Sequence, residues 1–195
     1  MLHWNQMNDK QREYTMLEPA AMDVLINTVK KAPKEGIIVI AGTAHGGDAM
    51  KIMKELPDRY VIVIDSFEGL ASPVEQDGPE AEGFGGHNAG GVEKYKSNFE
   101  SLKRKLPHEI HKMWITEENL KSIGNRDIAM LFMDLDHYSP VKACLNFFKP
   151  MMVPGSKILS HDWKFFRTVG VEKACEEFAP GMWKEVHGFG LYTGK

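Results

Sequence analysis

The chain has 195 residues, 43% of them hydrophobic, which is enough to bury a full core as one domain over 1–195. A formal net charge of −3 excludes the broad basic surface that typifies proteins of nucleic acids and anionic membranes, so neither partner is expected. Two cysteines, an N-terminus without a signal-peptide pattern and no membrane-length apolar run predict a cytoplasmic protein with free thiols.

Helix and strand patterns alternate along the chain. An amphipathic helix is predicted over 19–31, within an N-terminal helical cap of residues 1–32. Short β-branched apolar runs predict buried strands. These strands are expected at 37–41, 60–64, 110–115, 129–133 and within 153–161. Helices are expected between them, from Asp48 onward and at 91–106, 117–123, 139–148 and 169–178.

The alternation predicts an α/β fold with a single doubly wound, mostly parallel seven-stranded sheet. The segment 183–193, broken by two glycines, predicts an antiparallel C-terminal hairpin at its edge. One long stretch, residues 68–90, is rich in glycine and poor in apolar anchors. A loop of this length is usually a lid over an active site, or else a disordered insertion.

Two apolar runs of the sequence end abruptly at polar residues. The run 128–133 leads into Asp134, and the run 157–160 leads into His161 and Asp162. In open α/β folds, buried parallel strands deliver such groups to the carboxyl edge of the sheet, where ligands bind. Adjacent strands would bring these three side chains within reach of one divalent ion that keeps open positions for substrate. The alternative is that the acids only cap the helices that follow.

A glycine-rich turn, 42–47, joins the first strand to the next helix. Its glycines would let a ligand approach the backbone, and the helix amides favour an anionic group. Asp65 follows the second strand, where an acid typically binds ribose hydroxyls. Position 44 is alanine, so the dinucleotide fingerprint is absent, which favours S-adenosylmethionine over NAD. A tight turn without any ligand is the alternative.

The motifs together resemble the macrocin O-methyltransferase family. They are Tyr14-Thr-Met16, Gly42-Thr-Ala-His-Gly-Gly47, Asp65-Ser-Phe-Glu-Gly-Leu70, Asp134-Leu-Asp136-His-Tyr138 and Pro154-Gly155 to His161-Asp162-Trp163, in the family's order. The resemblance implies a Rossmann-like class I methyltransferase whose core also resembles catechol O-methyltransferase, with S-adenosylmethionine as methyl donor and a divalent ion held at two strand ends.

The resemblance also implies roles for individual residues. Thr15 and Met16 would close over the cofactor, the turn 42–47 would hold its methionine end, and Asp65 would bind its ribose. The full set of expected cofactor-binding residues is Thr15, Met16, Gly42, Thr43, Gly46, Gly47, Asp48, Asp65, Ser66 and Thr116. The chain departs from the family where it has Ile40 in place of an acid and His161 in place of an aspartate.

The expected reaction is transfer of a methyl group to a hydroxyl of a small molecule, either a sugar or a phenol. A metal ion at Asp134, His161 and Asp162 would lower the hydroxyl pKa, and Asp136 or His137 would take the proton. An all-oxygen site would suit Mg²⁺ or Ca²⁺, whereas one imidazole makes Mn²⁺ or another transition metal more competitive, so Mg²⁺ or Mn²⁺ is expected. The sequence leaves a homodimer open.

Two other functions compete with this interpretation. The first is a nicotinamide-dependent reductase, for which Tyr138 and Lys142 supply the Tyr-x-x-x-Lys spacing of a proton relay. That function leaves the Asp134, His161 and Asp162 set unexplained. The second is a non-catalytic module that binds S-adenosylmethionine, since Ile40 and His161 would also fit a decayed active site.

Overall fold

Seven strands form one mixed sheet in the structure, a computed structural model that describes residues 15, 17–82, 91–100 and 108–194. The strands are β1 (Ile37–Ala41), β2 (Val61–Asp65), β3 (His108–Lys112), β4 (Ile128–Met133), β5 (Met152–Ser160), β6 (Lys184–Val186) and β7 (Phe189–Thr193). The α-helices are α1 (Pro19–Lys31), α2 (Gly47–Glu55), α3 (Gly91–Glu100), α4 (Glu117–Leu120), α5 (Tyr138–Phe148) and α6 (Val169–Phe178). Short 3-10 turns cover Glu75–Asp77, Pro79–Ala81, Lys121–Ile123 and Lys149–Met151.

The strand order across the sheet is β3-β2-β1-β4-β5-β7-β6. The first five strands in this order run parallel, and β7 pairs antiparallel with both β5 and β6. The order reverses direction between β1 and β4, so their carboxyl ends open the crevice in which doubly wound folds bind ligands. The predicted doubly wound sheet with its C-terminal hairpin is therefore confirmed.

Successive residues of each central strand point to opposite faces and build two separate cores. Ile38 and Ile40 of β1 belong to the core that includes Leu25 of α1 and Tyr95 of α3. Their neighbours on the strand belong to the core that α4, α5 and α6 complete on the other face. Ile40 is fully buried, so this position carries an apolar core residue at the end of the strand.

The third strand was predicted incorrectly. The apolar pattern placed it over 110–115, whereas β3 spans His108–Lys112 and pairs from Val61 to Asp65 of β2. This strand lies at the edge of the sheet and is only half-buried, so polar residues are tolerated and hydrophobicity does not mark its ends. The helix predicted over 91–106 is present from Gly91 to Glu100, and its remainder lies outside the described residues.

The loops at the carboxyl edge contain left-handed backbone conformations at residues other than glycine. Ala44 follows β1, Phe67 follows β2, Asp136 follows β4 and Asp162 follows β5, with φ angles of 47°, 55°, 60° and 56°. Such conformations are costly, and they concentrate at ligand-binding and catalytic sites.

No helix in the described part of the chain is long and apolar enough to cross a membrane.

Candidate active site

The turn 42–47 after β1 requires glycine at position 42 because the protein backbone is packed closely there. A Cβ atom at Gly42 would lie 1.9 Å from the backbone oxygen of Asp134, so only glycine fits where the chains leaving β1 and β4 meet. Gly42 also has a φ of 81°, and Gly46, the N-cap residue directly before α2, has a φ of 87°. The turn was predicted to admit a ligand, but at Gly42 the backbone that approaches closely belongs to the protein itself.

Asp65 connects the turns after β1 and β2. Its Oδ2 accepts hydrogen bonds from the amides of Thr43 at 2.7 Å and Ala44 at 3.0 Å, and its Oδ1 accepts one from Phe67 at 2.6 Å. A carboxylate offers about four acceptor positions, so one remains for a ligand hydroxyl. Asp65 therefore shapes the turn as well as facing the crevice, and the expected ribose contact remains a prediction.

Other expected cofactor-binding side chains already make local contacts. Ser66 Oγ donates to the Gly69 carbonyl at 3.0 Å, and Thr116 Oγ1 caps α4 by accepting from the Asn119 amide at 3.2 Å. Thr15 Oγ1 accepts from the Leu17 amide at 3.1 Å, and Met16 lies outside the described residues. The cofactor-binding roles expected of these four residues remain predictions.

A cleft runs between these two turns and the start of the segment after β4. Its cavity volume is about 60 Å³. Among the described residues, its lining consists of Gly42, Asp65, Ser66, Gly69, Leu70, Ala71, Trp114, Ile115, Asp134, Leu135 and Pro140. The set is largely apolar, contains two carboxylates and contains no lysine or arginine.

The three expected metal ligands meet at the carboxyl ends of β4 and β5. Met133 pairs with Ser160, which places Asp134 and the pair His161-Asp162 side by side. One ligand atom from each residue lies within 4.8 Å of the others. His161 Nδ1 is 3.0 Å from Asp134 Oδ1 and 3.2 Å from Asp162 Oδ2.

The charges in this cluster are strongly coupled. Burial opposes a charge on the His161 imidazole, but Asp134 and Asp162 outweigh this effect and raise the His161 pKa to about 11. Burial also opposes ionisation of Asp162, yet its hydrogen bond with His161 leaves the Asp162 pKa below its usual value. Two carboxylates and one imidazole form a donor set that fits Mg²⁺ or Mn²⁺, and a bound ion would take the place of the His161 proton.

The two candidate proton acceptors lie in different surroundings. Burial, followed by the charges of Asp134 and Asp162, raises the pKa of Asp136 to about 9. His137 is 1% exposed, and its Nδ1 donates to the Ala71 carbonyl at 2.7 Å. Asp136 therefore borders the metal-ligand cluster, whereas His137 connects the segment after β4 to the loop after β2.

Asp77 is a structurally important residue that the sequence analysis missed. Its side chain is fully buried, and its Oδ1 accepts from the Tyr138 amide at 2.6 Å while Oδ2 accepts from the Val74 amide at 2.8 Å. It thereby caps α5 from a loop 61 residues away. Asp77 and His137 hold the described part of the 68–90 loop, residues 68–82, against the segment that carries Asp136. The lid expected over 68–90 remains a prediction.

The sequence profile of a methyltransferase-domain family matches residues 39–163, which run from β1 to just beyond Asp162. The chain belongs to this methyltransferase family. The match spans both turns of the cleft and all three candidate metal ligands. No curated protein sequence matches the chain.

Solved methyltransferase structures share this fold at low sequence identity. The O-methyltransferase NovP has a TM-score of 0.74 at 17% identity over 93% of this chain and 82% of its own. The calicheamicin methyltransferase CalS11, also described as a TDP-rhamnose 3'-O-methyltransferase, has a TM-score of 0.72 at 20% identity over 98% and 80%. The Podospora anserina methyltransferase PaMTH1, solved with S-adenosylhomocysteine (SAH), has a TM-score of 0.60 at 12% identity over 98% of this chain and 84% of its own.

Proposed function

We propose that this methyltransferase uses S-adenosylmethionine to methylate a hydroxyl of a small molecule, in the manner of the macrocin O-methyltransferase family. The observation that carries the proposal is the charge of the cleft. Asp65 and Asp134 line it, and its described lining includes no cationic side chain. Such a cleft favours the sulfonium cation of S-adenosylmethionine and disfavours the anionic pyrophosphate of NAD.

The cofactor would lie along the cleft. Its methyl-bearing sulfonium supplies the group to be transferred. The turn 42–47 and the start of α2 would hold its methionine end, while the remaining acceptor position of Asp65 would bind its ribose. Trp114 and Ile115 line the same cleft and offer apolar surface to an adenine ring.

A divalent ion would be held by Asp134, His161 and Asp162. A bound Mg²⁺ or Mn²⁺ lowers the pKa of a coordinated hydroxyl and orients it. The ligand side chains are 16–27% exposed, so they remain accessible from solvent. Asp136 is the proposed proton acceptor, because it adjoins the ligands. Burial and the charges of Asp134 and Asp162 raise its pKa to about 9, so it would accept the proton once a bound cation had lowered that pKa and released the proton that Asp136 itself carries.

The acceptor is proposed to be a sugar or a phenol. The similarity to CalS11, described as a TDP-rhamnose methyltransferase, supports a sugar hydroxyl, while the apolar side chains around the cleft are equally suited to an aromatic ring. Both acceptors need the same chemistry from the protein, which is a hydroxyl held beside Asp134 and Asp136.

The competing reductase loses support from the position of its proton relay. Lys142 Nζ donates to Tyr138 Oη at 2.5 Å, and that hydroxyl donates to Glu177 at 2.7 Å. Neither Tyr138 nor Lys142 belongs to the described lining of the cleft, and the network instead joins α5 to α6. A module that binds the cofactor without catalysis is distinguished only by turnover.

The test has two arms. Calorimetry should detect binding of S-adenosylmethionine and no comparable binding of NADH, and the opposite result would overturn the cofactor. In the second arm, Mn²⁺ binding is measured by electron paramagnetic resonance in wild-type protein and in Asp134→Asn. The nearly isosteric variant should lose Mn²⁺ while keeping its fold, and retention of Mn²⁺ would refute the metal site. Methyl transfer to a panel of sugars and phenols that withstands a chelator would also refute it.

A further inference from the structure

A second buried acid, Asp48, directly follows the glycine turn 42–47 in the chain. It is the second residue of α2 and is 4% exposed. Its Oδ1 accepts a hydrogen bond from Thr43 Oγ1 at 3.0 Å, and the amides of Asp48 and Ala49 also favour the ionised carboxyl. Its Oδ2 is buried and has no hydrogen-bond partner among the described residues. An unpaired buried carboxylate oxygen is costly unless a ligand satisfies it.

The surroundings of Asp48 are acidic. Burial and then the charge of Asp134 raise its pKa to about 7. Burial raises the pKa of the Tyr95 hydroxyl, and the charges of Asp48 and Asp65 add to this effect. A cation placed among these acids would relieve both the repulsion between them and the unpaired oxygen of Asp48.

The methionine end of S-adenosylmethionine carries one group of this kind, its α-ammonium. Gly46 and Gly47 precede Asp48 and bear no side chains that would separate it from a ligand lying over the turn. We propose that Asp48 Oδ2 accepts a hydrogen bond from the cofactor's α-ammonium, while the amides at the start of α2 receive its carboxylate. This inference rests on the proposed function.

The contact makes Asp48 a specificity-determining residue for the amino-acid part of the cofactor. SAH retains the ammonium, so it should benefit as much as S-adenosylmethionine. An analogue of SAH with hydrogen in place of the α-ammonium should gain nothing from Asp48. The two ligands also distinguish a hydrogen bond to the ammonium from a long-range attraction between the Asp48 charge and the sulfonium. Only S-adenosylmethionine carries the sulfonium charge, so a long-range attraction would favour it over SAH.

The experiment is a calorimetric cycle with wild type, Asp48→Asn and the exposed-acid control Asp58→Asn, each titrated with S-adenosylmethionine, SAH and the deamino analogue. In wild type, removing the ammonium should weaken binding about 10- to 100-fold, the range of a charge-assisted hydrogen bond. Asp48→Asn should lose a similar factor for the two ammonium-bearing ligands and nothing for the deamino analogue. Asp58→Asn should match wild type throughout.

Each other outcome has a definite meaning. Equal wild-type affinity for SAH and the deamino analogue would overturn the contact, and this comparison needs no variant to fold. Loss by Asp48→Asn for S-adenosylmethionine alone would also overturn it, in favour of a field on the sulfonium. If S-adenosylmethionine binds tightly and its affinity is unchanged in Asp48→Asn, the proposed contact of Asp48 is refuted, while the proposed function of the protein stands. No binding of either natural ligand to wild type would instead refute the proposed function.

Discussion

Asp48 and Asp77 are both buried acids near the start of a helix, yet their carboxylates are satisfied to different extents. Asp77 has an amide donor for each oxygen, from Tyr138 and from Val74. Asp48 has the Thr43 hydroxyl on one oxygen, while its other oxygen has no partner among the described residues. Burial penalises both acids, but only Asp77 has both oxygens compensated within the described structure.

The comparison separates an acid that serves the fold from one suited to a ligand. Asp77 joins the loop after β2 to α5, and α6 leaves room for it because residue 170 is glycine. Asp48 has one oxygen without a partner among the described residues, and burial together with the charge of Asp134 raises its pKa to about 7. The same conservative change, aspartate to asparagine, should therefore have opposite effects on stability at the two positions.

The largest effect is expected from Gly170→Ala. An alanine Cβ there would lie 2.0 Å from Asp77 Oδ1 and 2.8 Å from Tyr138 Cβ. Alanine normally stabilises a helix relative to glycine, but this clash should lower the free energy of unfolding by roughly 3 kcal/mol. Denaturant unfolding measures it. In an Asp77→Ala background the same change should cost clearly less, and fully additive costs would show that the two side chains do not meet.

Asp77→Asn should come next. The amide NH₂ would face one of the two backbone donors, so a charge-assisted hydrogen bond is replaced by two opposed donors. We expect a loss of about 2 kcal/mol in the free energy of unfolding, with faster hydrogen exchange at the Tyr138 amide. Stability equal to that of wild type would show that the carboxylate does not cap α5.

Asp48→Asn should stabilise the protein above neutral pH. Burial and Asp134 raise the Asp48 pKa from 3.8 to about 7, so the folded state favours the protonated form. Its contribution to stability is complete below about pH 4 and is lost as pH rises through 7. At about pH 8 the variant should gain about 1–2 kcal/mol over wild type, and at about pH 5 clearly less. Unfolding at both pH values measures this, and a gain that is independent of pH would contradict the raised pKa.

Much of the fold follows from local sequence patterns. The helices 19–31 and 169–178 and the strand 37–41 were predicted with the bounds that the structure has, because each is strongly periodic or uniformly apolar. The edge strand β3 was misplaced because its half-buried residues follow no hydrophobic pattern. Sequence can place an element when burial alone selects its residues.

The candidate site likewise contains features that the sequence predicted and features that it did not. Asp134, His161 and Asp162 were predicted to meet because both apolar runs end at them, and strand pairing at Met133 and Ser160 brings them together. The role of Asp77 was not predictable, because it depends on a contact across 61 residues from a loop without periodicity. Neither was the close approach of Asp134 to Gly42, since a glycine needed for backbone packing and one needed for a ligand look alike in a sequence.

The smallest effect is expected from Thr116→Ala, which extends the comparison to an exposed helix start. Thr116 caps α4 through its own hydroxyl and was also predicted to bind the cofactor. Loss of the cap should lower the free energy of unfolding by about 0.5–1 kcal/mol, and Thr116→Ser should restore it. Calorimetry with SAH on the same proteins then separates the two roles. If Thr116→Ala weakens SAH binding several-fold while Thr116→Ser does not, the hydroxyl serves the cofactor as well as the helix. If affinity is unchanged in both, Thr116 acts, like Asp77, through the fold alone.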